Sequence, residues 1–192
     1  MTGTIALFHS ALGLRPAVRR FADALRAAGH TVVTPDLYDG AVYDELADGV
    51  AKRDAIGIPT LLQRAQLAVA ALPDDIIYAG FSLGSAQSMA LAASRPGARG
   101  VVLMHGGRPP SMFGIAPWPS VPVQVHYGVR DPWIDPAAVA TLAAEVRAGG
   151  ARCDVHTYDV GGHLFADDDG PDFDAAAAAT MQARVLEFVA AS

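Results

Sequence analysis

The sequence has one cysteine, Cys153, one lysine, Lys52, and no apolar run that approaches membrane-spanning length. A single cysteine excludes an intrachain disulfide and fits a reducing compartment. A spanning helix needs about 20 consecutive apolar residues. The opening segment MTGTIALFHSALG lacks a basic stretch ahead of its short apolar run, so it does not read as a secretory signal. These absences predict a cytoplasmic protein with no membrane partner.

Positive charge is also scarce. Lys and Arg total 14 against 20 Asp and Glu, a formal net charge of -6. The arginines are scattered and build no basic patch, which argues against a nucleic-acid partner. No Cys/His cluster has zinc spacing, and no G-x-G-x-x-G opens a dinucleotide fold. No cofactor is expected, and the partner is a small-molecule substrate. A monomer and a homodimer are equally compatible with this composition.

What is present suits one domain over residues 1–192, with 52% hydrophobic residues to fill its core. Strand-length apolar runs alternate with helix-period segments. Strands are expected at Thr4–Phe8, Thr31–Thr34, Ile76–Ala79, Val101–Met104, Val121–Tyr127 and 152–158. Between them, Leu14, Val18, Phe21 and Leu25 recur at helical spacing, and Gly29 closes that helix. Further helical patterns cover 43–54, 59–72 and the segment from residue 83 to Ser94. Asp135-Pro136 reads as a cap and first-turn proline, and a last helix runs from Phe173 to Ala190. Neither repeats nor linkers interrupt the series. The alternation predicts an α/β domain: a single doubly wound, mostly parallel six-stranded sheet with helices on both faces and no separate lid domain. In such sheets, sites form beyond the carboxyl ends of the strands.

Several polar residues fall in those loops. Ser82 sits in G-F-S-L-G between a strand and a helix. A serine hydroxyl needs exposure and a base to act as a nucleophile, and a G-x-S-x-G elbow supplies the exposure. The plainer alternative is a glycine-rich turn whose serine caps a helix. His163, in VGGHLF after the last strand, is the candidate base; otherwise it is an ordinary loop histidine. Of the other histidines, His126 and His156 fall inside strands and His30 lies at the opposite end of the sheet. His9 and His105 end strands near the site but do not match the usual chain order. Asp131, in YGVRDPW, is the candidate acid that orients the imidazole, unless it is only a turn aspartate before Pro132. Asp135 is better explained as a cap. The order Ser82, Asp131, His163 is that of α/β-hydrolases. Developing negative charge needs preorganised donors, and the backbone N–H groups of Leu83 and Ala11 are the expected pair.

At these residues the chain resembles the dienelactone hydrolase family. HSALGL is similar to that family's H-E-x-x-G-L segment, and TPDLY matches its P-D-L-Y. GFSLGS is similar to its G-x-C-x-G-G elbow, and GGHLFADD resembles its G-x-x-H-x-F loop. The resemblance implies an α/β-hydrolase acting on a small ester, lactone or thioester. The chain also departs from the family's namesake. Ser82 replaces a cysteine nucleophile, and Ser10 stands where the namesake has a glutamate tied to its thiol. Asp167 stands where an arginine grips a substrate carboxylate. The run Asp167-Asp168-Asp169 reads as a solvated loop.

Other residues allow simpler readings. Cys153 is expected to be a buried structural thiol. Asp36, Tyr38 and Asp39 either line the site or only shape a loop. Trp118, Met112 and Phe113, in the loop at 106–120, either form an apolar wall or pack on the sheet edge. The helices at 43–72 could shade the site. A competing function is a catalytically idle hydrolase fold used as a binding module, since fold does not dictate function.

Overall fold

In a computed structural model, residues 3–192 are described. They form one six-stranded, all-parallel sheet in the order β2-β1-β3-β4-β5-β6. The strands are β1 (Thr4–Phe8), β2 (Thr31–Val33), β3 (Ile77–Phe81), β4 (Gly100–Met104), β5 (Val123–Gly128) and β6 (Cys153–Tyr158). The helices are α1 (Pro16–Ala27), α2 (Leu46–Ile56), α3 (Ile58–Val69), α4 (Leu83–Ser94), α5 (Pro136–Ala148) and α6 (Ala175–Ala191). There is no separate lid domain among the described residues, and none of their helices is long and apolar enough to cross a membrane.

The central strands are apolar on both faces because helices cover both. In β1, Ala6 and Phe8 join one core while Ile5 and Leu7 join the other. β4 divides the same way, with Val101 and Leu103 against Val102 and Met104. One core takes Leu61 and Val69 of α3, Met89 of α4 and Leu142 of α5. The other takes Val18, Phe21 and Leu25 of α1 with Met181, Val185 and Phe188 of α6. The spacing of those apolar residues on α1 turns one stripe inward, and each buried Leu or Phe contributes about 1.5–3 kcal/mol.

Several element boundaries differ from the sequence expectation. β3 does not stop at Ala79: Gly80 pairs with Phe8 and Leu103, and Phe81 pairs with Met104. Glycine disfavours a strand, but neighbours on both sides hold the ladder together. The helix expected from residue 43 begins at Leu46, because the Tyr43 N–H donates to the Leu12 carbonyl and Asp44 pairs with Arg15. Gly57, at φ 85°, separates α2 from α3. The last helix starts at Ala175 because the Asp174 carboxylate caps it, accepting from the Ala177 N–H.

Candidate active site

The site begins at the turn from β3 into α4. Ser82 takes φ 49° and ψ -103°, a conformation costly for a residue with a side chain. Two glycines permit the turn. A Cβ on Gly80 would lie 2.2 Å from the Gly84 carbonyl carbon and oxygen, and one on Gly84 would lie 2.5 Å from the Phe8 carbonyl oxygen. The end of β1 therefore rests on the first turn of α4. The Ser82 side chain does not cap that helix, which removes the capping-serine alternative. Its Oγ lies 2.8 Å from His163 Nε2.

His163 is held from three directions. Its Nδ1 lies 2.7 Å from Asp131 Oδ2. Its backbone N–H donates to Asp172 Oδ2 at 3.0 Å. The Trp133 ring lies alongside, 5.7 Å between centroids. Asp131 is fully buried as a side chain, and its other oxygen accepts from the Trp133 N–H at 2.8 Å. The turn after β5 thus fixes the carboxylate before the histidine meets it. Asp135 caps α5, accepting from the Ala137 N–H.

A cavity of about 230 Å³ opens over these residues, bordered by Ser82, Leu83, His163, Trp133, Ile134 and Met89. Arg53 of α2, Ile58 of α3 and Arg108 of the loop after β4 also reach it. Leu83 opens α4, so its N–H has no intrahelical acceptor. Among the described residues, neither the Leu83 nor the Ala11 N–H donates to a protein acceptor. Leu83 borders the cavity. Ala11 does not: it is buried in the loop after β1 with its carbonyl packed on Gly49.

Two further histidines lie beside the site, and His105 borders its cavity. The His9 Nδ1 lies 2.7 Å from the Ser10 carbonyl oxygen, and Nε2 accepts from the Leu37 N–H at 3.0 Å. His9 thereby ties the loop after β1 to the loop after β2. Burial holds its pKa below the usual histidine value. His105, at φ 55°, packs edge-on against Phe165, and its buried ring nitrogens have no hydrogen-bond partner. Burial pushes its pKa far down, and the adjacent His163 adds to this.

Asp168 and Asp169 of the acidic run are exposed, as a solvated loop requires, whereas the Asp167 side chain is withdrawn from water. Asp167 pairs with the buried Arg15, Asp168 and Asp169 pair with Arg20, and Asp169 also accepts from the Ala17 N–H. The three carboxylates lie within 4.8 Å of one another, and the two arginines answer their charge. Burial holds the Asp167 carboxyl above its usual range, against the Asp169 N–H and the Arg15 guanidinium, which pull it down. The sequence gives no periodic or motif signal for this cluster or for Asp172. Ser10 accepts from the Leu12 N–H and shapes the loop after β1.

The remaining candidates divide. Asp36 accepts from the Tyr38 and Gly40 N–H groups, Tyr38 is buried, and Asp39 pairs with Arg64, so this segment shapes a loop. Trp118 is buried and donates to the Val121 carbonyl, Phe113 borders the cavity, and Met112 is exposed. Cys153 is buried, which raises its thiol pKa to about 11.

The model of the dienelactone hydrolase family matches residues 2–192. The chain belongs to that family. Membership makes it an esterase-type α/β-hydrolase. No curated protein matches it in sequence. Solved structures share the fold. A dienelactone hydrolase-like promiscuous phosphotriesterase from metagenomic libraries is 24% identical with a TM-score of 0.81, covering 99% of this chain and 86% of that one. A dienelactone hydrolase from Anabaena variabilis is 21% identical with a TM-score of 0.69, covering 99% and 86%. A thermophilic esterase from Thermogutta terrifontis, with propionate bound, is 14% identical with a TM-score of 0.69, covering 99% and 83%. The family elbow carries serine in this chain.

Proposed function

We propose that the protein hydrolyses a small ester, lactone or thioester through an acyl-enzyme on Ser82. The observation that carries this reading is the continuous relay from Ser82 Oγ to His163 Nε2, at 2.8 Å, and from His163 Nδ1 to Asp131 Oδ2, at 2.7 Å. In the first step His163 Nε2 takes the hydroxyl proton as Ser82 Oγ bonds to the substrate carbonyl carbon. The N–H of Leu83, which borders the cavity, stabilises the oxyanion. The tetrahedral adduct collapses, and His163 gives its proton to the departing alcohol or thiol. Water then loses a proton to His163 and attacks the acyl carbon. The carboxylic acid leaves, and Ser82 regains its proton. Asp131 stays ionised throughout and holds the imidazole in the tautomer that leaves Nε2 free to accept.

A cytoplasmic setting and a small-molecule substrate belong to the same proposal. The lone, buried thiol supports the first, and the modest cavity volume supports the second. The test is p-nitrophenyl acetate turnover. Ser82→Ala should lower kcat by at least about 10³-fold with an unchanged circular dichroism spectrum. A fluorophosphonate should label Ser82 in the wild type. An idle binding module requires the opposite: well-folded protein that takes no label. Full activity in Ser82→Ala overturns the assignment.

A further inference from the structure

A second concavity adjoins the cavity over Ser82. It is a groove of about 500 Å³ that shares Ile58, Ala86 and Phe113 with the catalytic cavity. Both α3 and α4 start at the catalytic cavity, at Ile58 and Leu83, and run away from it. Leu62 and Gln66 extend the α3 wall, and Ala90 and Ala93 the α4 wall. Residues 58 to 66 and 86 to 93 each cover about two helical turns, so the groove runs about 11 Å from the site.

Its chemistry differs from that of the catalytic cavity. Arg53, Arg108 and Asp135 border the cavity, whereas among the described residues no ionisable side chain borders the groove, whose polar groups are the uncharged Gln66, Gln87 and Ser94. Two large apolar side chains stand at the junction and are left open to water: Ile58 at 45% exposure and Phe113 at 40%. Apolar surface clustered at the mouth of a site is stabilised when a ligand covers it.

We propose that this groove holds the aliphatic chain of the ester cleaved at Ser82, so that the protein prefers esters with a medium-length chain to those with only short ones. The occupant follows from continuity, because the groove and the cavity over Ser82 share Ile58, Ala86 and Phe113. The groove offers it no charge to pair with. The proposal rests on the ester-hydrolase reading of the Ser82 site. It leaves two sources for the chain, the acyl group or the alcohol, which separate substrate series distinguish.

The experiment measures kcat/KM for p-nitrophenyl acetate, butanoate, hexanoate and octanoate, and in parallel for butyl, hexyl and octyl acetates. One series should climb by about two- to fourfold per methylene that reaches the groove, the range from half to full burial. Its longest member should exceed its shortest by about tenfold or more. Ala90→Trp fills the groove, and Leu62→Asp places a charge on its wall. Each should reduce that ratio to below about threefold. The ratio is read within each protein, so a loss of folded enzyme cancels. Two flat or falling series in the wild type overturn the proposal, as does a climb undiminished in either variant. Activity surviving in Ser82→Ala overturns the ester-hydrolase reading instead.

Discussion

Arg15, the residue just before α1, places its Nε 3.2 Å from the carboxylate of Asp167, four positions beyond His163. The side chains are 7% and 11% exposed, so both charges are withdrawn from water together. The same guanidinium donates to the Tyr43 and Asp169 carbonyls. One arginine therefore fastens the loop after β2 and the loop carrying His163 to the start of α1.

Removing that arginine strands a buried carboxylate. Arg15→Ala should cost about 3–5 kcal/mol, which lowers Tm by about 10 °C in a chain of this size. The contact with Asp44 contributes little, because that carboxylate is fully exposed. Lysine should not restore the loss, since a point charge cannot reproduce the forked donation. Thermal melts of Arg15→Ala and Arg15→Lys check this, and wild-type stability in either would refute the clamp.

Asp131 tests the tautomer argument. Asp131→Asn keeps the shape of the side chain but removes the acceptor that keeps the proton on Nδ1. The imidazole then carries its proton on Nε2 and cannot accept one from Ser82. The expected loss in kcat is about 10⁴-fold with Tm shifted by only a few degrees. A loss below tenfold would remove Asp131 from the relay.

Acid should destabilise the fold through its buried histidines. His126 Nδ1 lies 2.8 Å from the Tyr158 hydroxyl and Nε2 lies 2.9 Å from Gln124 Oε1. Burial lowers its pKa from 6.5 to about 3, and His9 and His105 shift the same way. The unfolded chain therefore binds protons that the folded chain refuses. The contribution is fully present above pH 6.5 and is lost as pH falls toward 3, at up to about 1.4 kcal/mol per pH unit for each histidine. His126→Leu should be less stable than wild type at pH 7, because Gln124 and Tyr158 lose a partner. It should also lose less on moving to pH 5. Melting curves at the two pH values decide; an equally steep decline would show that another group carries the pH dependence.

Much of this architecture was legible from local pattern. The apolar runs and helical spacings locate six strands and six helices because burial on one or both faces dictates which residues can stand there. The elbow was legible for the same kind of reason: two close backbone approaches tolerate only Gly80 and Gly84. Long-range pairing left no such trace. Nothing near Arg15 announces Asp167, and nothing near His163 announces Asp172. The composition of 167–169 suggested solvent, which holds for Asp168 and Asp169 but not for Asp167, which the fold sets against Arg15.

By itself, then, the sequence determined the alternation of strands and helices, the sharp turn at Ser82 and the order of the three polar candidates. Those features depend on neighbours in the chain and on the period of the backbone. Only the tertiary structure decided which charge meets which, that the buried His105 ring nitrogens have no hydrogen-bond partner, and that α3 and α4 border a groove beside the catalytic cavity. Those depend on the packing of segments far apart in the chain, where desolvation and distance, rather than local spacing, set the energy.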